Sequence, residues 1–395
     1  MKVLMTAESS GGIWTYSVEL ARALGRRGVE VHLATIGAPL GHEQVREASV
    51  MRNVELHPGR GGMRDGSELA GGSNGDDVEA TGRWLLALER RLRPDVVHLN
   101  APLYGDLPFT APVVAIVHSC ALSWWWAGKG RAAPASLQPQ CERFAGGLRG
   151  AEMVVAPTRA ALEWTDFLHG PLHPVRVIGH GRSAADVLPR IKEPYVAAAA
   201  RRWDDAKDLG LLESAARHLA WPVRVAGHHA QRVDRGRGPA PANGAGPATA
   251  VERMGHLDAE ALADLLGRAA VFAHPVRYEP FGLTVLEAAL AGCALVLSDI
   301  PSLREQWEGV AELVPPGDER ALRDALVGLI EDPGRRRELA AASRLRALDQ
   351  TPERVAGQYL EVYRQASAPH PRPLDLEGLL PGHARRAVEI PPGLA

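Results

Sequence analysis

The sequence predicts an α/β protein built as two parallel-sheet units in series. Short apolar runs alternate with segments of helical period along most of the chain. The chain is 395 residues long, more than one core normally fills. Glycine-bearing loops stand where an apolar run gives way to a helix, as in Ser9-Ser10-Gly11-Gly12 and Glu279-Pro280-Phe281-Gly282.

Composition bounds the function. With 46% hydrophobic and 23% charged residues and a formal net charge of −2, the chain lacks the basic surface expected of a nucleic-acid binder. Its arginine runs, Arg90-Arg91 and Arg335-Arg336-Arg337, fall in helix-like segments and read as solvated faces, with peripheral contact to an anionic membrane as the other reading. Cys120, Cys141 and Cys293 show no C-x-x-C spacing, which fits a reduced, cytoplasmic protein. Met1–Glu8 turns acidic too soon for a signal peptide, and no stretch approaches the roughly 20 apolar residues of a membrane span.

In the first unit, Lys2–Thr6 reads as a strand, Ile13–Leu24 as a helix and Val29–Leu33 as a second strand. The Gly11-Gly12 loop between the first two stands where α/β folds bind ligands, although a plain tight turn has the same residues. Glycines crowd residues 58 to 76, which read as a surface loop. A helix over 78–92 and strands at Val96–Leu99, Val113–Val117, Val154–Ala156 and Val175–Ile178 complete the unit, with Thr158 as a helix N-cap. His118 follows a buried strand at the sheet edge where sites form, so a structural and a functional role stand level. Trp124, Trp125 and Trp126 are adjacent, and a helix spreads such rings too widely for one core. At least one is expected to face a cleft and stack on an acceptor, against simple packing between elements.

Gly179–Pro194 lacks periodicity and reads as the linker, and a second series begins at Tyr195–Ala199. Arg202 and Lys207 bracket the next strand–helix junction, where they neutralise a diphosphate or form a salt-bridged turn. Residues 228–250 read as an exposed insertion. Asp258 caps a helix, and Val271–His274 is a strand. Ser302-x-x-Glu305 reads as a capping box, and helices are expected near 318–330, 334–347 and 352–365 before an irregular tail from Ala368.

The densest chemistry lies in Arg277–Glu287. Gly282 precedes a helix whose unpaired N–H groups and dipole suit a phosphate. Glu279 stands just before that helix and Glu287 about one turn inside it. Two carboxylates beside an anion site make sense for a ligand that also carries sugar hydroxyls.

These features resemble the GT-B glycosyltransferases of family 4, the retaining nucleotide-sugar enzymes. Glu279 and Glu287, with seven residues between them around Pro280-Phe281-Gly282-Leu283, match that family's glutamate pair, and the match runs on to Val314-Pro-Pro-Gly-Asp318. Arg202 and Lys207 match its basic pair, Gly11-Gly12-Ile13 its glycine loop and His118 its cleft histidine. The likeness covers about residues 1 to 365; His180-Gly181 stands where Asn-Gly is common, and Ala198-Ala199-Ala200-Arg201 where Val-Gly-Arg is commoner.

The resemblance implies two Rossmann-like domains facing across a cleft, with the C-terminal helix crossing back to the N-terminal domain. It divides the chain into an acceptor-binding domain (1–180), a nucleotide-sugar-binding domain (181–351), the returning helix (352–367) and the tail (368–395). It implies that Gly282, Leu283 and Thr284 hold the diphosphate, with Gly11, Gly12 and Phe281 lining the donor site. Arg202 and Lys207 oppose the diphosphate charge, Glu287 binds the ribose, Glu279 faces the transferred sugar and His118 meets that sugar from the other domain. No metal and no cofactor is implied, the donor being a co-substrate. The acceptor carries a hydroxyl and is otherwise unspecified. The same fold also serves nucleotide-sugar 2-epimerases, phosphorylases and non-catalytic sugar-binding relatives. A dinucleotide oxidoreductase is disfavoured by the missing G-x-G-x-x-G.

Overall fold

The computed structural model describes residues 1–9, 11–59, 75–172, 174–200, 204–227 and 251–368. Two all-parallel sheets carry the chain. The first has the order β3-β2-β1-β4-β5-β6-β7, with β1 Lys2–Glu8, β2 Glu30–Ile36, β3 Val54–Pro58, β4 Val96–Leu99, β5 Val113–Ile116, β6 Met153–Ala156 and β7 Val175–Val177. The second has the order β10-β9-β8-β11-β12-β13, with β8 Glu193–Ala199, β9 Val223–Ala226, β10 Val251–Gly255, β11 Ala269–His274, β12 Ala294–Ser298 and β13 Glu312–Val314. The central strands β4, β5, β11 and β12 are buried at every residue, as continuous apolar runs covered on both faces require.

Three strands lack the continuous apolar run by which the other strands read from sequence: β3, β9 and β10. Glu55, Arg224, Glu252 and Arg253 interrupt them, because these strands lie at or next to a sheet edge where one face is partly solvated. The expected insertion at 228–250 and the tail from residue 369 lie outside the described residues, as does most of the expected glycine loop.

The last helix, Pro352–Ala366, returns to the first sheet. Val355, Ala356, Tyr359, Leu360, Val362, Tyr363 and Ala366 share one core with Val3, Met5, Leu20 and Leu24. Within it, the Tyr363 hydroxyl meets His98 Nδ1 at 2.8 Å. The linker reaches this helix at Gly181, where a Cβ would lie 2.7 Å from the Thr351 and Pro352 backbone, so only glycine lets the two segments pass. Among the described residues, no helix is long and apolar enough to cross a membrane.

Candidate active site

Parallel strands deliver their following loops to the C-terminal edge of a sheet, and here the two edges face each other. Leu283 of the second unit lies 3.7 Å from where a Cβ would stand on Gly12 of the first. The Thr158 hydroxyl donates to the Pro280 carbonyl at 2.9 Å, and Trp124 Nε1 donates to Asp204 Oδ1 at 2.8 Å. Ser123 Oγ meets the Tyr278 hydroxyl at 2.7 Å.

Glu279 sits at the centre of this junction. Its Oε2 accepts from Lys207 Nζ at 2.6 Å and lies 3.0 Å from His274 Nε2, while the Phe281 amide approaches Oε1 at 3.4 Å. Burial opposes its ionisation, but Lys207 and His274 outweigh that and hold the carboxyl well below the usual carboxylate range. His274 is itself pushed down by burial, although its bond to Glu279 pulls the other way. His274 ends β11 as His118 follows β5; an apolar strand ending in histidine was its sequence signal.

The helix Leu283–Leu290 begins beside this cluster. Gly282 is its N-cap at φ 89°, and a Cβ there would lie 3.1 Å from Val285 Cγ2, so glycine is required on both counts. Its first-turn amides have no partner within the helix, and half-buried Leu283 and Thr284 border them. Gly11, at φ 68°, and Gly12 are exposed at the opposing helix start. Phe281 is different. Its ring is buried and packs 4.5 Å from the His180 ring, so any donor contact from this residue falls to its backbone.

Glu287 is 8% exposed and meets Arg182, whose Nε donates to its Oε1 at 2.9 Å. Burial raises the carboxyl above its ordinary value, and Arg182 offsets only part of that. Arg182 also pairs with Glu19 of the first unit and with Asp186 at 3.2 Å. Arg182 and Glu19 carry no motif and were missed by sequence reading.

His118 Nε2 lies 2.7 Å from Asn100 Oδ1, with the Tyr16 ring edge-on to it and the His180 ring tilted against it. Burial, then the neighbouring histidines, holds it well below the usual histidine value, so the ring is neutral. Asn100 orients it, since its amide Nδ2 is committed to the Thr6 carbonyl at 2.6 Å. Arg202 lies outside the described residues.

The three indoles divide. Trp124 is buried at the junction with Lys129 over its ring at 5.3 Å, and Trp125 stands edge-on to it under Arg131. Trp126 faces a cleft of about 320 Å³ that Trp164, Arg277, Tyr278, Glu279 and Ser302 also line. The expected capping box at Ser302 is corrected. Ile300 is the N-cap of that helix, and Ser302 Oγ donates instead to the Glu279 carbonyl. Glu305 caps a helix of the other unit, accepting from the Arg159 and Ala160 amides at 2.9 and 3.1 Å.

Among the described residues, His32, Glu55 and His57 on β2 and β3 are close enough to share a metal ion. The two histidines also form a hydrogen-bonded relay without one, from Arg91 through His57 and His32 to Glu30.

Two facing parallel sheets with one glutamate just before and one just inside the helix that begins at Leu283 are the arrangement of a GT-B glycosyltransferase. Residues 10–185 match Glycosyltransferase Family 4 and residues 193–332 match Glycosyl transferases group 1, so this chain belongs to the GT-B glycosyltransferases. It is 26% identical over 438 residues to the glycogen synthase of Mycobacterium tuberculosis, across 96% of this chain and 100% of that one. Its fold is similar to sucrose-phosphate synthase from Thermosynechococcus elongatus (TM-score 0.75, 18% identity, 92% and 98% of the two chains). It is likewise similar to Anabaena HepE in complex with UDP-glucose (TM-score 0.70, 16% identity, 92% and 99%).

Proposed function

We propose that this glycosyltransferase moves a hexose from a nucleotide diphosphate sugar to a hydroxyl acceptor, with retention of anomeric configuration and without a metal ion. The observation that supports it most is Glu279, held ionised by Lys207 and His274 beside the free N-terminus of the helix Leu283–Leu290. That helix end suits the diphosphate, and Lys207 supplies a cation where a metal would otherwise stand. Arg202 is proposed as its partner on sequence grounds. Glu287 receives ribose hydroxyls, Glu279 faces the moving sugar, and neutral His118 meets that sugar from the first unit.

Retention follows if the acceptor hydroxyl attacks from the face the diphosphate leaves. The C–O bond to phosphate breaks as the bond to the acceptor oxygen forms, and the departing phosphate oxygen takes the acceptor proton. Glu279 is already engaged by two donors, which suits electrostatic stabilisation of positive charge at the sugar better than nucleophilic attack. The cleft beside Trp126 and Trp164 supports an acceptor site there, since indole faces can stack on a sugar ring. The reaction is assigned to the cytoplasm on the free cysteines Cys120, Cys141 and Cys293.

The test is thermal stabilisation and slow hydrolysis with UDP-, GDP- and ADP-sugars, starting with UDP-glucose because HepE was solved with it. One nucleotide class should stabilise the protein and release its sugar with the α or β configuration kept. Inversion, or no stabilisation by any of them, overturns the reading.

A further inference from the structure

Arg182 stands where the linker passes between the two units, 9% exposed overall. Its Nε holds Glu287 Oε1 of the second unit, and its Nη1 holds Glu19 on the helix Gly11–Gly25 of the first. Its backbone amide donates to the Gln350 carbonyl at 3.0 Å, fixing its start as firmly as its end. Glu19 is fixed in turn by Arg22 at 3.6 Å, which also reaches Glu47 at 3.7 Å. One buried guanidinium thus serves two buried carboxylates, with side-chain exposures of 4% for Glu19 and 11% for Glu287.

Such an arrangement is costly as a stability device, because two carboxylates and a guanidinium all lose water. It does achieve geometry. A planar guanidinium bound at one end to Glu19 presents its Nε in a fixed direction, so Glu287 cannot rotate freely. Arg182 engages Glu287 at Oε1, which orients the carboxylate for hydroxyl donors approaching Oε2. We propose that Arg182 is a positioning residue for the nucleotide donor, fixing the Glu287 carboxylate while taking its own aim from Glu19 across the junction of the two units. This rests on the reading of Glu287 as the ribose acceptor. It adds that donor affinity depends on a residue of the linker and on one of the opposite unit.

The test is calorimetric titration of UDP, GDP and ADP into wild type, Glu287→Gln, Arg182→Met, Arg182→Lys, Glu19→Gln and the Arg182→Met/Glu287→Gln double variant. Arg182→Met should weaken the nucleotide that wild type binds by about tenfold, the worth of a charged hydrogen bond. Arg182→Lys should recover part of that loss, and the double variant should bind no worse than Glu287→Gln. In turnover, Arg182→Met should raise the donor KM much more than it lowers kcat.

The proposal is overturned if Glu287→Gln weakens binding while Arg182→Met does not, or if the two losses add in the double variant. Wild-type affinity in Glu287→Gln is a different signature, and it removes the ribose reading itself. Should Arg182→Met not fold, Arg182→Lys and Glu19→Gln decide: both should weaken binding by about threefold or more, and wild-type affinity in both refutes the proposal.

Discussion

Replacing Lys207 by methionine keeps the side-chain stem and removes the cation from Glu279. The two charged atoms lie 2.6 Å apart, with side-chain exposures of 19% and 14%, so solvent screens little of their interaction. At an effective dielectric of about 20, that separation corresponds to roughly 6 kcal/mol of attraction before desolvation. Breaking such a pair while leaving one charge buried costs about 3–5 kcal/mol. His274 still touches Glu279, which places Lys207→Met near the lower figure, about 3 kcal/mol.

The pH dependence has a definite sign. Glu279 is depressed in the folded state, so its stabilisation is present above the ordinary carboxylate value and is lost as pH falls toward the folded one. Urea unfolding of wild type and Lys207→Met should therefore differ most at pH 7, with the gap narrowing below about pH 4.3. Glu279→Gln added to Lys207→Met should recover part of the loss, since no charge is then stranded. A difference under about 1 kcal/mol at pH 7, or a gap that does not narrow in acid, refutes this account of the pair.

Glu279→Ala should lower transfer by about a hundredfold with nucleotide affinity nearly kept, whereas Glu287→Gln should weaken nucleotide binding. Steady-state kinetics beside calorimetry separates the two, and wild-type transfer by both variants rejects the site. If Lys207 and the helix dipole stand in for a metal as proposed, activity should survive excess EDTA within about twofold. A strict need for magnesium or manganese ends that assignment. Glu305→Ala should remove about 1 kcal/mol by taking the acceptor from the Arg159 and Ala160 amides of the helix Arg159–His169, whose N-cap Thr158 stays in place, and should loosen the junction. Small-angle scattering of the free enzyme should then show a larger radius of gyration; an unchanged radius and melting midpoint count against Glu305 as a tie between the units.

Much of the architecture was written locally. The run Val113–Val117 is apolar throughout because its strand is covered on both faces, and it reads directly as the centre of a parallel sheet. Gly282 and the flanking Glu279 and Glu287 were equally legible, since a left-handed N-cap and a carboxylate one turn into a helix depend on only a few neighbouring residues. The strands β3, β9 and β10, at or next to a sheet edge, were not, because there charged residues replace part of the continuous apolar run.

The sequence by itself determined the two-unit α/β plan, the helix start that Glu279 and Glu287 bracket and the spacing between the two glutamates. Tertiary structure alone decided what each carboxylate meets. Glu287 finds Arg182 from 105 positions away, and Arg182 finds Glu19 across 163 more. Glu305, spaced like a cap for its own helix, caps one 146 positions earlier instead. Periodicity and capping motifs record interactions within a turn or a strand. A buried charge answers to whichever partner the packed chain brings within a few ångströms, and that pairing leaves no local pattern to read.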